Sequence, residues 1–168
     1  MAPTHTDPTD AVVDTLLLPF EEGAVAWPDD GVVRMLNARA AASLKARAST
    51  LVCQQPLRPL HDALAAAGFR CDPPGASPTP AHPVVLLPMP RQRDHGRVLL
   101  AQALAWLQPG GTLVAAAANN QGARTMQSDM EALLGPVRSI SKHRCRAVWG
   151  VPEPGAGQSA LARAWLGA

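Results

Sequence analysis

The chain has 168 residues, 47% hydrophobic and 17% charged, with a formal net charge of +2. That composition excludes global disorder, and so small a charge does not demand a polyanionic partner. Three widely spaced cysteines with no CxxC support neither a disulfide framework nor a zinc site. They fit a reduced compartment, so a soluble cytoplasmic protein without metal is the expectation. No apolar run reaches the length of a membrane span, and the opening MAPTHTDPTDA lacks the basic and apolar regions of a signal peptide.

Met1 to Asp10 is polar and rich in Pro and Thr, and reads as a mobile arm. Ala11 to Pro28 reads as a short helix or extended segment, with a turn at Glu21-Glu22-Gly23. It has Leu16, Leu17, Phe20 and Trp27 available for packing. Val32 to Leu36 is the first core strand, and the Ala-rich stretch Asn37 to Ala48 reads as a helix, since good helix formers dominate it. Thr50 to Gln54 is a second strand. Pro56 to Ala67 is a helix with Leu57, Leu60, Leu64 and Ala67 on one face, closed by Gly68 at C′. Phe69 to Cys71 suggests a short third strand, and the five prolines of Asp72 to Pro83 mark a surface loop.

The stretch Ala81 to Arg124 organises the rest. A short apolar strand (Val84 to Leu87) leads through a Pro-punctuated loop into a helix carrying Leu100, Ala103, Leu104 and Leu107. Pro109-Gly110-Gly111 breaks that helix, and a fifth strand follows from Thr112 to Ala118. Strand, helix, tight turn and strand make a βαβ unit, whose uncharged strands belong to a parallel sheet covered on both faces. A further helix runs from about Ala123 to Leu134 with Met126 and Met130 inward. Val137 to Ser141 and Arg146 to Val151 form a closing hairpin around Lys142-His143-Arg144-Cys145. The tail is Pro/Gly-rich with a weak helix at Ser159 to Leu166. The expected division is an N-terminal extension (1–28), a Rossmann-like domain (29–151) and a tail (152–168). Any ligand crevice belongs at the carboxyl ends of strands four and five, at Pro88, Met89, Pro90, Asn119 and Asn120.

This order, with LQPGGTLV at Leu107 to Val114, resembles the class I S-adenosylmethionine-dependent methyltransferases. The longer combination of LLPMPRQRDHG, a helix, LQPGGTLVAAAANNQGART and SKHRCRAVWG is similar to the N-terminal half of the two-domain ribosomal-RNA guanine-N2 methyltransferases. There a degenerate methyltransferase-like domain precedes a catalytic one. The resemblance spans roughly Thr15 to Gly150. It implies an α/β Rossmann-like sheet, mostly parallel with a C-terminal antiparallel hairpin and helices on both faces.

The departures from that family bear on function. Where the family carries glycines after strand one, so that backbone approaches the methionine part of the cofactor, this chain has Asn37-Ala38-Arg39-Ala40-Ala41, and each Cβ crowds that approach. The acid expected at the end of strand two is replaced by Gln54. The Asn/Asp-Pro-Pro-aromatic catalytic loop is replaced by Leu87-Pro88-Met89-Pro90. The resemblance with these losses implies no catalytic residue and no cofactor. The expected role is binding of structured rRNA or scaffolding of a catalytic methyltransferase domain. The alternatives are an active S-adenosylmethionine-dependent enzyme with an altered pocket, and an interaction module or homo-oligomer docking through Leu16 to Trp27.

Candidate RNA contacts are the basic residues after strand four (Arg91, Arg93, Arg97, with His95) and on the hairpin (Lys142, His143, Arg144, with Arg138 and Arg146). The functional reading is phosphate contact, and the plain reading is solvated loops. No aromatics interleave with them, which argues against a single-strand stacking platform. Asn119-Asn120-Gln121-Gly122 reads first as a left-handed turn capping the next helix. Cys53 reads as an inert buried strand thiol.

Overall fold

The computed structural model describes residues 8–73 and 75–167. Its strands are β1 (Val33–Met35), β2 (Leu51–Cys53), β3 (Arg70–Cys71), β4 (His82–Pro88), β5 (Leu107–Ala118), β6 (Arg138–Lys142) and β7 (Cys145–Gly150). They form one sheet in the order β3-β2-β1-β4-β5-β7-β6. The pairs from β3 through β5 are parallel, and β7 runs antiparallel to both β5 and β6. The expected mostly parallel sheet with a closing hairpin is therefore present.

Both sheet faces are apolar because alternate residues of each central strand serve different cores. Val85, Leu87, Leu113, Ala115 and Val148 meet α3 (Arg93–Trp106), α4 (Ala123–Leu134) and α5 (Ala160–Leu166) on one face. Val84, Leu86, Val114, Ala116 and Ala147 meet α1 (Pro8–Glu21) and α2 (Arg58–Ala66) on the other. Each fully buried Leu or Val contributes roughly 1.5–3 kcal/mol of transfer free energy, so these two layers dominate stability. Met126 and Met130 fill the first core as expected, and Trp165 of the tail is buried there. Leu16 and Leu17 lie in the second core, with Phe20 and Trp27 packed edge to face beside it at 5.1 Å.

Several expectations need correction. Pro8 to Asp10 are the first residues of α1, not arm, because Leu16, Leu17 and Val13 anchor a whole helix on the sheet. The rest of the arm lies outside the described residues. The Ala-rich stretch does not form an α-helix from Asn37. Asn37 takes a left-handed backbone (φ 50°), the chain is extended at Ala41, and a 3-10 helix covers only Ala42–Thr50. Helix propensity gives way there to the geometry that joins β1 to β2. Leu57 is 60% exposed, because it is the extended N-cap preceding α2 and not part of its inner face. Strand five starts at Leu107, pairing with His82 before an irregularity that holds Pro109-Gly110-Gly111. The Asn119-Asn120 turn makes no side-chain cap. It is a short 3-10 turn, and Gly122 (φ 91°) carries the left-handed position.

Candidate functional site at the carboxyl edge of the sheet

The carboxyl ends of β1, β2 and β4 lie along one edge of the sheet, and side chains tie them together. Asn37 follows β1, and its left-handed backbone is one that Asn tolerates better than other non-Gly residues. Its amide nitrogen donates to the Pro88 carbonyl oxygen at 2.7 Å, linking the end of β1 to the end of β4. Gln55, almost fully buried, donates from Nε2 to the Ala38 carbonyl at 3.0 Å. Its Oε1 accepts from the Leu57 backbone N–H at 3.1 Å. One amide thus joins the loop after β1 to the start of α2. Ala38 itself is fully buried.

Beneath this edge lies an arginine that sequence reasoning missed. Arg34 is 1% exposed in the middle of β1. Its guanidinium donates to Asp72 Oδ2 and to Gln54 Oε1, both at 2.7 Å, and stands 3.3 Å from the centroid of the Trp106 ring. Its Nε has no partner among the described residues. Gln54 is therefore an acceptor for an internal cation. Asp72, after β3, is held by that same cation. A cleft of about 560 Å³ opens beside them, lined by Asn37, Gln54, Asp72, His95 and Trp106 among others. The off-pattern Arg inside the apolar VVRML run is the signal that would have found it.

Pro88-Met89-Pro90 is packed down and not presented. Pro88 is buried, the Met89 N–H donates to the Ala116 carbonyl at 2.9 Å, and the Met89 side chain packs against the core. A Cβ added at Gly96 of α3 would lie 2.6 Å from Met89 Cε, which shows how closely loop and helix approach. Burial, and then the neighbouring Cys71, push the Cys53 thiol up to about 12, which keeps it protonated and inert. Among the described residues no group of three or more His, Cys, Asp and Glu could hold a metal ion. Among them no helix is long and apolar enough to cross a membrane.

The basic candidates converge further along the same edge. The two-residue turn between β6 and β7 puts His143 and Arg144 beside the end of β5, where the Asn119 N–H donates to the Arg144 carbonyl at 2.9 Å. Asn119, Asn120, His143 and Arg144 line a cleft of about 800 Å³. Asn120 also borders a smaller one of about 240 Å³ with Met89, Pro90, Arg91 and Arg93. Arg91, Lys142, His143 and Arg144 are exposed. Arg93 and Arg97 are not equivalent to them, because both donate to buried Asp129 of α4, at 2.9 and 3.2 Å. Arg97 also lies over the Trp165 ring. Two of the six candidate cations therefore hold α3 to α4. The acid that holds them was legible only as a charge on the Met126–Met130 face.

Asp129 carries a pH dependence. Burial opposes its ionisation, but the hydrogen bonds from Arg93 and Arg97 outweigh burial and hold its carboxyl below the usual range. A lowered folded value means that its stabilisation is present above the unfolded value, near pH 4, and is lost as pH falls through the folded one. Asp129→Asn is expected to lower stability by about 1–2 kcal/mol at pH 7 and to flatten the acid limb of a pH–stability curve measured by urea unfolding. An unchanged acid limb would show that Asp129 does not contribute.

No protein-family model matches the chain, and no curated protein does. Solved structures do. A T. thermophilus 16S rRNA N2 methyltransferase, in complex with AdoMet and guanosine, is similar over 89% of this chain with TM-score 0.68 and 22% identity. A ribosomal protein L11 methylase from Lactobacillus delbrueckii subsp. bulgaricus is similar over 84% with TM-score 0.61 and 10% identity, 79% of that chain being covered. A methyltransferase-fold protein of Pseudomonas syringae matches over 82% of this chain and 96% of its own, with TM-score 0.56 and 17% identity. The fold is that of the class I S-adenosylmethionine-dependent methyltransferases. The chain spans 40% of the length of the first of these proteins. Within the methyltransferase fold, the Asn37, Gln54 and Pro88 positions fall at the carboxyl ends of β1, β2 and β4.

Proposed function

We propose that this chain is a methyltransferase-like domain that does not hold S-adenosylmethionine and serves an rRNA guanine-N2 methyltransferase, by binding structured rRNA or scaffolding a catalytic domain. The observation that carries this reading is the Asn37 amide bonded to the Pro88 carbonyl at 2.7 Å. It ties the loop after β1, where the resemblance implies glycines, to the end of β4, and a glycine there would carry no such side chain. Two further features support it. Gln54 receives a cation where the cofactor ribose would need an acid, and Pro88-Met89-Pro90 offers neither an amide side chain nor an aromatic ring. These residues do not suit the cofactor.

Isothermal titration tests the first part. No saturable heat is expected with S-adenosylmethionine at concentrations up to roughly 1 mM, which corresponds to a binding free energy weaker than about −4 kcal/mol. Micromolar binding would overturn the reading in favour of an active enzyme with an altered pocket, for which the cleft beside Trp106 is the favouring observation. Filter binding of an rRNA fragment tests the second part. Retention should fall steeply with salt, because exposed Arg91, Lys142 and Arg144 would meet phosphates. Absence of any salt-sensitive retention would leave scaffolding as the role.

A further inference from the structure

The turn between β6 and β7 departs from what its geometry favours. Lys142 pairs with Cys145, so the loop is two residues long, and His143 (φ 56°) and Arg144 (φ 59°) both lie in the left-handed region. A two-residue hairpin with positive φ at both central positions is a type I′ turn, for which Asn-Gly is the preferred pair. Arg is poorly suited to it, since its Cβ crowds the adjacent carbonyl, and His tolerates it less readily than Gly. Among the described residues only one other non-glycine, Asn37, has positive φ.

The strain sits on a rim with two further properties. The turn is tied to the end of β5, because the Asn119 N–H donates to the Arg144 carbonyl. Both side chains are exposed and border the cleft of about 800 Å³ with Asn119 and Asn120. Lys142 is exposed beside them. Residues in sparsely populated backbone regions persist where the surrounding structure over-determines them, and they cluster at binding sites.

We propose that this turn is a preorganised phosphate contact for duplex RNA, in which His143 and Arg144 are kept for their side chains at the expense of hairpin stability. The inference rests on the RNA part of the reading above. A duplex is favoured over a single strand because, among the described residues that line the cleft, there are hydrogen-bond donors and basic side chains beside one acid, Asp14, but no Phe, Tyr or Trp to form a stacking platform. A two-residue tip with adjacent amides can meet phosphate and 2′-hydroxyl oxygens without reading base edges.

The test uses the whole chain with His143→Asn and Arg144→Gly combined, and a labelled RNA hairpin whose stem is about 16 base pairs. The thermal midpoint of the double variant is expected to rise by about 3–6 °C, since turn strain is removed. Its RNA affinity is expected to fall roughly tenfold, and the slope of log affinity against log salt to shrink by about 1. Arg163→Ala, which removes an exposed charge from α5, should leave affinity unchanged. A midpoint that does not rise would overturn the strain argument. Wild-type affinity in the double variant would overturn the contact while leaving the RNA reading standing. A wild-type chain that retains no RNA would overturn both.

Discussion

Arg34→Ala is expected to lower unfolding free energy by about 3–5 kcal/mol, read as a shift in the urea midpoint at unchanged slope. The substitution removes two 2.7 Å hydrogen bonds and the stacking on Trp106. It leaves Asp72, three-quarters buried, without its cation, and opens a cavity in the middle of β1. Breaking a buried pair from one side is costly because the remaining charge stays desolvated. The pair as a whole is a different matter. Arg34→Met combined with Asp72→Asn fills the volume and removes the charge, and should lie within about 1 kcal/mol of wild type. An Arg34→Ala cost below about 1 kcal/mol would show that the guanidinium does not hold this edge together.

Asn37→Ala is the second large effect, at about 2–4 kcal/mol. Alanine keeps the unfavourable left-handed backbone at about 1–2 kcal/mol, without the local hydrogen bonding that lets Asn tolerate it. It also strands the carbonyl of buried Pro88, worth about 1–3 kcal/mol. Asn37→Gly separates the two causes, because it relieves the backbone and still loses the hydrogen bond. It should cost about half as much as alanine, and chemical denaturation of the two side by side decides the matter. Equal costs would assign the whole effect to the side-chain bond.

These two positions also mark where sequence reading works and where it fails. The βαβ rhythm of Val84 to Ala118 was legible because each core strand is apolar on both faces, and that pattern identifies a sandwiched parallel strand. The hairpin was legible from its short basic connection between two strand-like runs. Asn37 was read as standing in place of a glycine, but its reach to Pro88, 51 residues away, is invisible to any local rule. The same holds for Arg34 with Asp72, 38 residues away, and for Asp129 with Arg93, 36 residues away. The helix expected at Asn37 to Ala48 failed for a related reason. Alanine propensity is a weak local preference, and the connection from β1 to β2 was set by the left-handed Asn37 and by burial of Ala38 and Leu44.

By itself the sequence determined the class of sheet and the order of its elements. Those are matters of residue type and periodicity, which need no partner to be read. Only the tertiary structure decided what fills the edge instead. It made Gln54, Gln55 and Asn37 hydrogen-bonding ties, and withdrew Arg93 and Arg97 from the basic rim into a clamp on Asp129. It also set His143 and Arg144 in strained backbone beside Asn119 and Asn120. A polar group's role depends on what lies within about 3 Å of it, and that distance is set by the packing of elements remote in sequence.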